Sequence, residues 1–148
     1  MKIGGEVFPA FNPYHKSTYE IHISGCTRKC KGCQNPILQD FEYGEDLDID
    51  TYLFALQKRA KFYDAICIMG GDLLCQDLVE AETFAKVLKV AFPQKELWLF
   101  TGAELEVVPD WAKETFDYIK TGTYQEHLKQ TGFPASSNQK LLQKGKDY

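Results

Sequence analysis

Residues 24–36 read Ser24-Gly25-Cys26-Thr27-Arg28-Lys29-Cys30-Lys31-Gly32-Cys33-Gln34-Asn35-Pro36. Three of the five cysteines of the chain lie in this stretch with the spacing Cys-x3-Cys-x2-Cys, which lets one loop place three thiolates around a single centre. Thiolates are soft ligands that select iron–sulfur clusters, zinc or copper(I). Structural zinc sites and most cluster sites use four protein ligands. A compact group of three therefore favours a [4Fe-4S] cluster in which one iron is left open for chemistry.

The length and composition of the chain are typical of a single domain with a hydrophobic core. Its 148 residues are 44% hydrophobic, and we expect a single domain over 1–148, with an irregular lead-in over 1–16 and a polar tail over 130–148. The net charge of −4 gives no sign of the basic face that nucleic-acid binding requires, so no direct nucleic-acid contact is expected. The sequence has no run of about 18 apolar residues, which predicts no membrane span.

The cysteines are expected to lie in a reducing compartment. The first residues lack the apolar core of a signal peptide, so we expect a cytoplasmic location. Clustered cysteines in such a compartment more often bind metal or take part in catalysis than form disulfides. A disulfide or a zinc site is therefore the less favoured interpretation of Cys26, Cys30 and Cys33. Cys67 is interpreted as a small core residue, and Cys75 as a packing residue with a redox role as the alternative.

Strands and helices are predicted to alternate along the chain. Apolar and polar side chains alternate from Thr18 to Ile23, which is typical of a strand, and the short apolar run from Ala65 to Met69 indicates a buried parallel strand. Apolar residues recur at helical spacing between 77 and 92, and Pro93 ends that helix. The other predicted elements are strands at 97–100 and 117–120 and helices at 48–63 and 109–115.

This alternation implies right-handed crossovers and a parallel sheet. A closed barrel of eight strands takes about 200 residues or more, so the predicted fold is α/β, a partial (open) TIM-like barrel of parallel strands with outer helices. The unclosed side leaves room for a protein loop. Glycines follow the predicted strands at Gly25, Gly70-Gly71, Gly102 and Gly122. Because ligands bind beyond the carboxyl ends of such strands, we expect these turns and the cysteine loop to face one crevice.

Five short motifs, two of which include cysteines of the loop, are spread over most of the chain. They are Ser24-Gly25-Cys26, Gly32-Cys33, Met69-Gly70-Gly71-Asp72, Leu97-Trp98-Leu99-Phe100-Thr101-Gly102 and Ser136-Ser137-Asn138-Gln139. The three-cysteine spacing resembles that of the radical S-adenosylmethionine (SAM) enzymes. The whole set, in this order, resembles the family of activating proteins of anaerobic ribonucleotide reductase, and the likeness runs from Tyr19 to Gln139.

The resemblance implies a set of cofactors and site residues. It implies one [4Fe-4S] cluster per chain, held by Cys26, Cys30 and Cys33. It implies SAM as the second cofactor, with contacts from Gly32, Cys33, Gln34, Gly70, Gly71, Asp72 and Thr101. No side chain is assigned as a general acid or base.

The resemblance also implies a reaction and its partners. The reaction would be reductive cleavage of SAM, followed by formation of a glycyl radical on the anaerobic reductase. The partners would be the glycyl radical subunit of that reductase and a low-potential electron donor such as flavodoxin or ferredoxin. A homodimer is implied as well.

Three other functions remain open from the sequence. One is activation of another glycyl radical enzyme, or modification of a small peptide, by the same radical chemistry. Another is a non-catalytic iron–sulfur or zinc-binding module, and the third is a structural or interaction protein that keeps the fold without activity. His22 lies four residues before Cys26 and is an alternative fourth ligand, although a lone histidine on a strand is more often structural.

Overall fold

The computed structural model describes all 148 residues and contains seven strands and three α-helices. The strands are β1 (Lys2–Phe11), β2 (Ser17–Ser24), β3 (Glu45–Asp46), β4 (Ala65–Gly70), β5 (Glu96–Phe100), β6 (Tyr118–Thr121) and β7 (Lys140–Gln143). The helices are α1 (Ile49–Lys58), α2 (Leu78–Ala91) and α3 (Asp110–Thr115). The predicted order of alternating strands and helices is thus confirmed from β2 to β6.

All seven strands form one sheet in the order β3-β1-β2-β4-β5-β6-β7. β2, β4, β5 and β6 are parallel to one another, whereas β1, β3 and β7 pair antiparallel at the two sides. The register sets Ile21 beside Ile68 and Ile68 beside Leu99, so the carboxyl ends of the parallel strands meet at one edge of the sheet. β3 and β7 are the outer strands and do not pair, so the sheet does not close. The barrel-like curvature stays a prediction.

Two segments that were predicted to be irregular or polar contribute strands instead. β1 fills most of 1–16 and pairs with β2, and β7 lies within 130–148 and pairs with β6. The prediction of an irregular lead-in is wrong for β1, whereas the segment predicted to be a polar tail contains the strand β7. The register of β1 against β2 shifts at Gly4 and near Pro9, and such bulges accommodate glycine and proline inside a strand.

The helices cover one face of the sheet. A cluster of 21 buried hydrophobic residues joins this face to α1, α2 and α3, and its burial supplies the main driving force for folding. The cluster includes the alternate residues of Tyr19–Ile23, as the sequence pattern predicted. The opposite face carries a smaller cluster of Ala65, Cys67 and Trp98, to which no helix contributes. Trp98 stacks there on Tyr118 with 4.2 Å between ring centroids.

The helix starts follow from local sequence. Asp48 and Asp77 precede α1 and α2, and each carboxylate accepts a hydrogen bond from the backbone N–H three residues later. α1 ends at Lys58 instead of Tyr63, because the chain tightens into a 3-10 turn at Ala60–Phe62. None of the three helices has the length and apolar character that crossing a membrane requires.

Candidate metal centre

A cavity of about 380 Å³ lies at the carboxyl ends of the parallel strands. Cys26, Cys30 and Cys33 line it together with residues that end or follow β4, β5 and β6. Those residues are Gly70, Gly71, Asp72, Thr101, Gly102, Lys120 and Gly122. The predicted meeting of the cysteine loop and the glycine turns at one edge is therefore confirmed.

Backbone hydrogen bonds close the base of the cysteine loop. The N–H of Gly25 donates to the carbonyl of Leu38 at 2.8 Å, and the N–H of Cys26 donates to the carbonyl of Gln39 at 3.3 Å. Within the loop, the N–H of Cys33 donates to the carbonyl of Cys30 at 3.2 Å. All three thiols are free and partly exposed, so the loop offers three accessible sulfur ligands.

The glycine turn after β4 packs against the base of this loop. The N–H of Gly71 donates to the carbonyl of Ile23 at 2.7 Å, and that of Asp72 donates to the carbonyl of Gly25 at 3.0 Å. A Cβ added at Gly71 would lie 2.5 Å from the Gly25 oxygen and 2.7 Å from the Leu38 oxygen. Only glycine fits at this position, because both contacts are to rigid backbone.

The carboxylate of Asp72 joins three parts of the cavity wall. Its Oδ2 accepts from Arg28 Nε at 3.1 Å, from Thr101 Oγ1 at 2.9 Å and from the N–H of Gly102 at 2.9 Å. Its Oδ1 accepts from the N–H of Leu74 at 2.9 Å. With only 1% of Asp72 exposed, these contacts make it a positioning residue for the wall. Direct contact of Asp72 or Thr101 with SAM stays a prediction.

Three cations and one carboxylate line the cavity, namely Arg28, Lys29, Lys120 and Asp72. Arg28 is paired with Asp72, and Lys29 is exposed. Lys120 is partly buried, forms no salt bridge, and has its ammonium 5.5 Å from the ring centroid of Phe100. Burial lowers the pKa of Lys120. Lys120 was not assigned from the sequence, although its position near the carboxyl end of a predicted parallel strand could have indicated that it lines the site.

Cys75 lies beside the first cysteine of the loop. The Thr27 hydroxyl is 3.4 Å from the Cys75 sulfur. Interaction with the neighbouring Cys26 thiol lowers the pKa of Cys75 to about 6, while the same interaction and burial raise the pKa of Cys26. Iron binding at Cys26 would displace the shared proton. Cys67 is buried in the core, as predicted, and burial raises its pKa.

The donors of the cavity fit an iron–sulfur cluster with three thiolate ligands. The lining contains three cysteines, no histidine, and a single carboxylate that is already paired. His22 does not line the cavity, and its Nε2 is 3.3 Å from a carboxylate oxygen of Glu20. No group of three or more His, Cys, Asp or Glu side chains is close enough to bind one metal ion. A four-iron cluster does not need such convergence, because each thiolate binds its own iron.

All predicted cofactor contacts except Gly32 line the cavity. Gly32 is exposed, and a Cβ added there would lie 3.0 Å from the Glu126 carboxylate. The cavity also contains side chains that the sequence analysis did not assign, namely Arg28, Phe100, Lys120, Tyr124, Phe133 and Gln139. The position of Arg28, two residues after a cysteine ligand, was a usable signal. Tyr124 and Phe133 come from loops whose placement depends on the whole fold.

The Ser136–Gln139 motif fastens the C-terminal loop to the cavity rim. Gln139 donates through Nε2 to the carbonyl of Gly122 at 2.9 Å and accepts at Oε1 from the N–H of Ser136 at 3.2 Å. Asn138 donates through Nδ2 to the carbonyl of Thr123 at 2.8 Å. These contacts hold the turn after β6, so the motif shapes the wall of the cavity.

The relatives reported below, found by comparison with known proteins, all carry the same name. The chain is 28% identical over 111 residues to the anaerobic ribonucleoside-triphosphate reductase-activating protein of Enterobacteria phage T4, covering 73% of this chain and 71% of that protein. The protein of the same name from Haemophilus influenzae is 28% identical over 103 residues, which cover 67% of this chain and 66% of that protein. The one from Pasteurella multocida is 33% identical over 90 residues, covering 57% and 56%. The resemblance inferred from the motifs is confirmed.

A family match covers nearly the whole sheet and the cavity. Residues 17–142 match the family described as 4Fe-4S single cluster domain. This segment runs from β2 into β7 and contains every residue that lines the cavity. Given also the three free thiols that share the cavity, we conclude that the chain belongs to the 4Fe-4S single cluster domain family.

Proposed function

We propose that this protein is a radical SAM activase that uses a [4Fe-4S] cluster to cleave SAM reductively and generate a glycyl radical on an anaerobic ribonucleotide reductase. The names of its relatives and the cluster family support activation of the anaerobic reductase by an iron–sulfur protein. One structural observation supports the part of the proposal that concerns SAM. Three free thiols share a cavity with the Gly70-Gly71 turn, and no fourth unpaired protein ligand lines it.

The residues present have distinct roles in this proposal. Cys26, Cys30 and Cys33 would each hold one iron of the cluster, and the iron without a protein ligand would be open to SAM. When bound, the cluster and SAM supply a 5′-deoxyadenosyl radical able to take a hydrogen atom from a glycine. Gly70 and Gly71 line the cavity without side chains and would let the methionyl end of SAM approach the backbone.

The protein itself contributes apolar side chains to the wall of the cavity. Phe100 and Phe133 lie with 5.5 Å between ring centroids, and Met69 adds a further apolar side chain to the lining. Excluding water protects a reactive intermediate from side reactions. The Asp72 carboxylate and the Thr101 hydroxyl are engaged by protein groups, which fits a hydrogen-atom transfer that needs no general acid or base.

The uncovered face of the sheet offers access for a protein substrate. A second cavity of about 260 Å³ on that face shares Phe100 and Phe133 with the first. Its outer wall includes Phe11, which is 69% exposed. We assign this path to the glycine-bearing loop of the reductase. A low-potential donor such as flavodoxin or ferredoxin would deliver the electron.

The proposal is tested by anaerobic reconstitution with iron and sulfide. We expect about four irons per chain, formation of 5′-deoxyadenosine from SAM under reduction by dithionite, and a glycyl radical signal in electron paramagnetic resonance after addition of a candidate reductase. Cys30→Ala should abolish SAM cleavage because one iron loses its ligand. Val90→Ala is the control, since Val90 is an exposed residue of α2 that lines neither cavity, and it should keep the activity.

Other outcomes would contradict the proposal at defined points. Bound zinc with no 5′-deoxyadenosine would identify a metal-binding module. Cleavage of SAM without a radical on the reductase would identify the activase of another glycyl radical enzyme or a peptide-modifying enzyme. Reductase activation that survives Cys30→Ala would show that the cluster is not required.

A further inference from the structure

Cys75 is a free thiol beside the cysteine loop that the proposed function does not use. Its sulfur lies 3.4 Å from the hydroxyl of Thr27, the residue that follows Cys26. The strongest interaction of the Cys26 side chain is with Cys75. Cys26 lines the cavity and Cys75 does not, so the fourth thiol lies next to the first cysteine of the loop but outside the space for a cofactor.

Hydrogen bonds hold the segments of these two cysteines together. The N–H of Asp72 donates to the carbonyl of Gly25 at 3.0 Å, and Nε2 of Gln76 donates to the same carbonyl at 3.0 Å. Cys75 lies between these two donors in the sequence, and Cys26 directly follows their acceptor. Because a disulfide requires two cysteines whose backbones are already close, this arrangement allows Cys26 and Cys75 to bond mainly by rotation of their side chains.

Both thiols are within reach of a small oxidant. Cys26 and Cys75 are partly exposed, whereas Cys67, the other cysteine outside the loop, is only 3% exposed. Oxidation of cysteine is selective for accessible thiols, and a second thiol nearby turns it into a reversible reaction. Cys75 is in the position of such a second thiol.

We propose that Cys26 and Cys75 form a reversible disulfide when the cluster is absent, which shields Cys26 from irreversible oxidation and prevents iron binding until the bond is reduced. This inference goes beyond the proposed function and takes from it only the assignment of Cys26 as a cluster ligand. The bond would leave Cys30 and Cys33 as the free thiols of the loop, which is fewer than the cluster uses. Reduction by a dithiol restores the third ligand through thiol–disulfide exchange.

Hydrogen peroxide is the oxidant in this reaction. One of the two thiols attacks a peroxide oxygen, the O–O bond breaks, and a sulfenic acid and one water are formed. The other thiol attacks the oxidised sulfur, the S–O bond breaks, and the S–S bond forms with release of a second water. The thiols together lose two electrons and two protons, and peroxide is reduced to two waters. Without the second thiol, sulfenic acid proceeds to sulfinic and sulfonic acids, which a dithiol does not reverse.

The test treats the iron-free, unmodified protein with hydrogen peroxide and maps its disulfides by mass spectrometry without reduction. Trypsin separates the three cysteines of the loop, because Arg28 and Lys31 lie between them. We expect the peptide of Cys26 to be joined to the peptide that contains both Cys67 and Cys75, and fragment ions to place the bond at Cys75. This readout needs neither cluster nor activity.

A second measurement follows the recovery of the cluster site. After peroxide treatment, removal of peroxide and reduction with dithiothreitol, the unmodified protein should bind as much iron on reconstitution as protein that was never oxidised. Cys75→Ser should load iron normally before oxidation. After the same treatment it should lose most of its iron and carry sulfinic or sulfonic acid at Cys26. Val90→Ala, an exposed change on α2, is the control and should behave like the unmodified protein in both measurements.

Four results would overturn the inference. They are a disulfide between two cysteines of the loop in place of the one to Cys75, the absence of any disulfide, equal recovery of iron by Cys75→Ser and the unmodified protein, and failure of Cys75→Ser to load iron before oxidation. None of them touches the proposed function. Conversely, failure of the unoxidised, unmodified protein to bind iron would overturn the proposed function, and with it the shielding of a ligand, even where the disulfide is found.

Discussion

Arg28 Nε donates to Asp72 Oδ2 at 3.1 Å, and this contact ties the cysteine loop to the turn that follows β4. The same oxygen accepts from Thr101 and Gly102, so one buried carboxylate also holds the end of β5. The cysteine loop is therefore positioned by a charged contact with the turn after β4 and not by its own turns alone. Gly102 is part of this arrangement, because a Cβ there would lie 2.4 Å from the Arg28 side chain.

Replacing Asp72 with alanine should destabilise the protein by about 2–3 kcal/mol, because buried donors on several elements lose their acceptor. We place the value below that of a fully buried ion pair, since 25% of the Arg28 side chain is exposed. Urea denaturation of the iron-free protein measures it. Asp110→Ala removes an exposed carboxylate 4.0 Å from Lys113 and should change the free energy of unfolding by less than about 0.5 kcal/mol. Similar effects of the two changes would contradict the structural role of Asp72.

Gly71→Ala should destabilise the protein by about 1–3 kcal/mol and reduce iron incorporation, because its Cβ would press on two backbone oxygens of the cysteine loop. Thermal unfolding and iron analysis after reconstitution measure the two effects. Gly5→Ala is the matched control, since a Cβ at Gly5 meets no atom within 4 Å. If Gly71→Ala loads iron and unfolds like Gly5→Ala, the close packing of the two loops is not required.

Gln139→Ala should cost about 1–3 kcal/mol, because it leaves the buried carbonyl of Gly122 and the buried N–H of Ser136 without partners. We also expect faster hydrogen exchange in the turn after β6, since that turn loses its side-chain fastening. Gln143→Ala changes an exposed glutamine of β7 and should leave both measurements unchanged. Unaltered hydrogen exchange in Gln139→Ala would show that the Ser136–Gln139 motif does not hold the turn after β6.

Lys120→Met should stabilise the ligand-free protein by roughly 0.5–2 kcal/mol at neutral pH, because it removes an unpaired ammonium from a partly dehydrated site. Burial lowers the pKa of Lys120, so the folded state binds its proton less tightly than the unfolded state does. The penalty is complete below the folded-state pKa and vanishes above the ordinary lysine pKa. The advantage of Lys120→Met should therefore shrink as the pH rises through that window, as urea denaturation at several pH values will show. An advantage that is constant with pH would contradict this account.

Alkylation of the iron-free protein should occur first at Cys75. Its pKa of about 6 makes it mostly thiolate at neutral pH, so its rate should fall by half near pH 6. Peptide mass spectrometry identifies the labelled cysteine, and the buried Cys67 should stay unlabelled until unfolding. Thr27→Val removes the hydroxyl 3.4 Å from the sulfur and should raise the midpoint. A Cys75 midpoint near that of an ordinary thiol, about 8.5, would contradict the pairing with Cys26.

The central strands could be predicted because their signals are local. β2 was expected at 18–23 and is observed at Ser17–Ser24, since alternation over a few residues is enough to define a half-buried strand. The apolar run at 65–69 was likewise expected to form a strand, and the strand is observed at Ala65–Gly70. β1 and β7 could not be recognised in this way. β1 contains glycines and a proline that locally indicate irregular chain, and only pairing with β2 at bulged positions makes it a strand.

The sequence by itself determined the chemistry available: the three spaced thiols and the glycines that follow the parallel strands. Those features depend on neighbours a few residues apart, so they are visible in the chain. Only the tertiary structure decided which side chains are engaged and which are free. Asp72 is held by donors that lie up to 44 residues away in the sequence, while Lys120 forms no salt bridge. Such pairings follow from the register of separate strands, which brings distant residues to the same edge of the sheet and which no local pattern encodes.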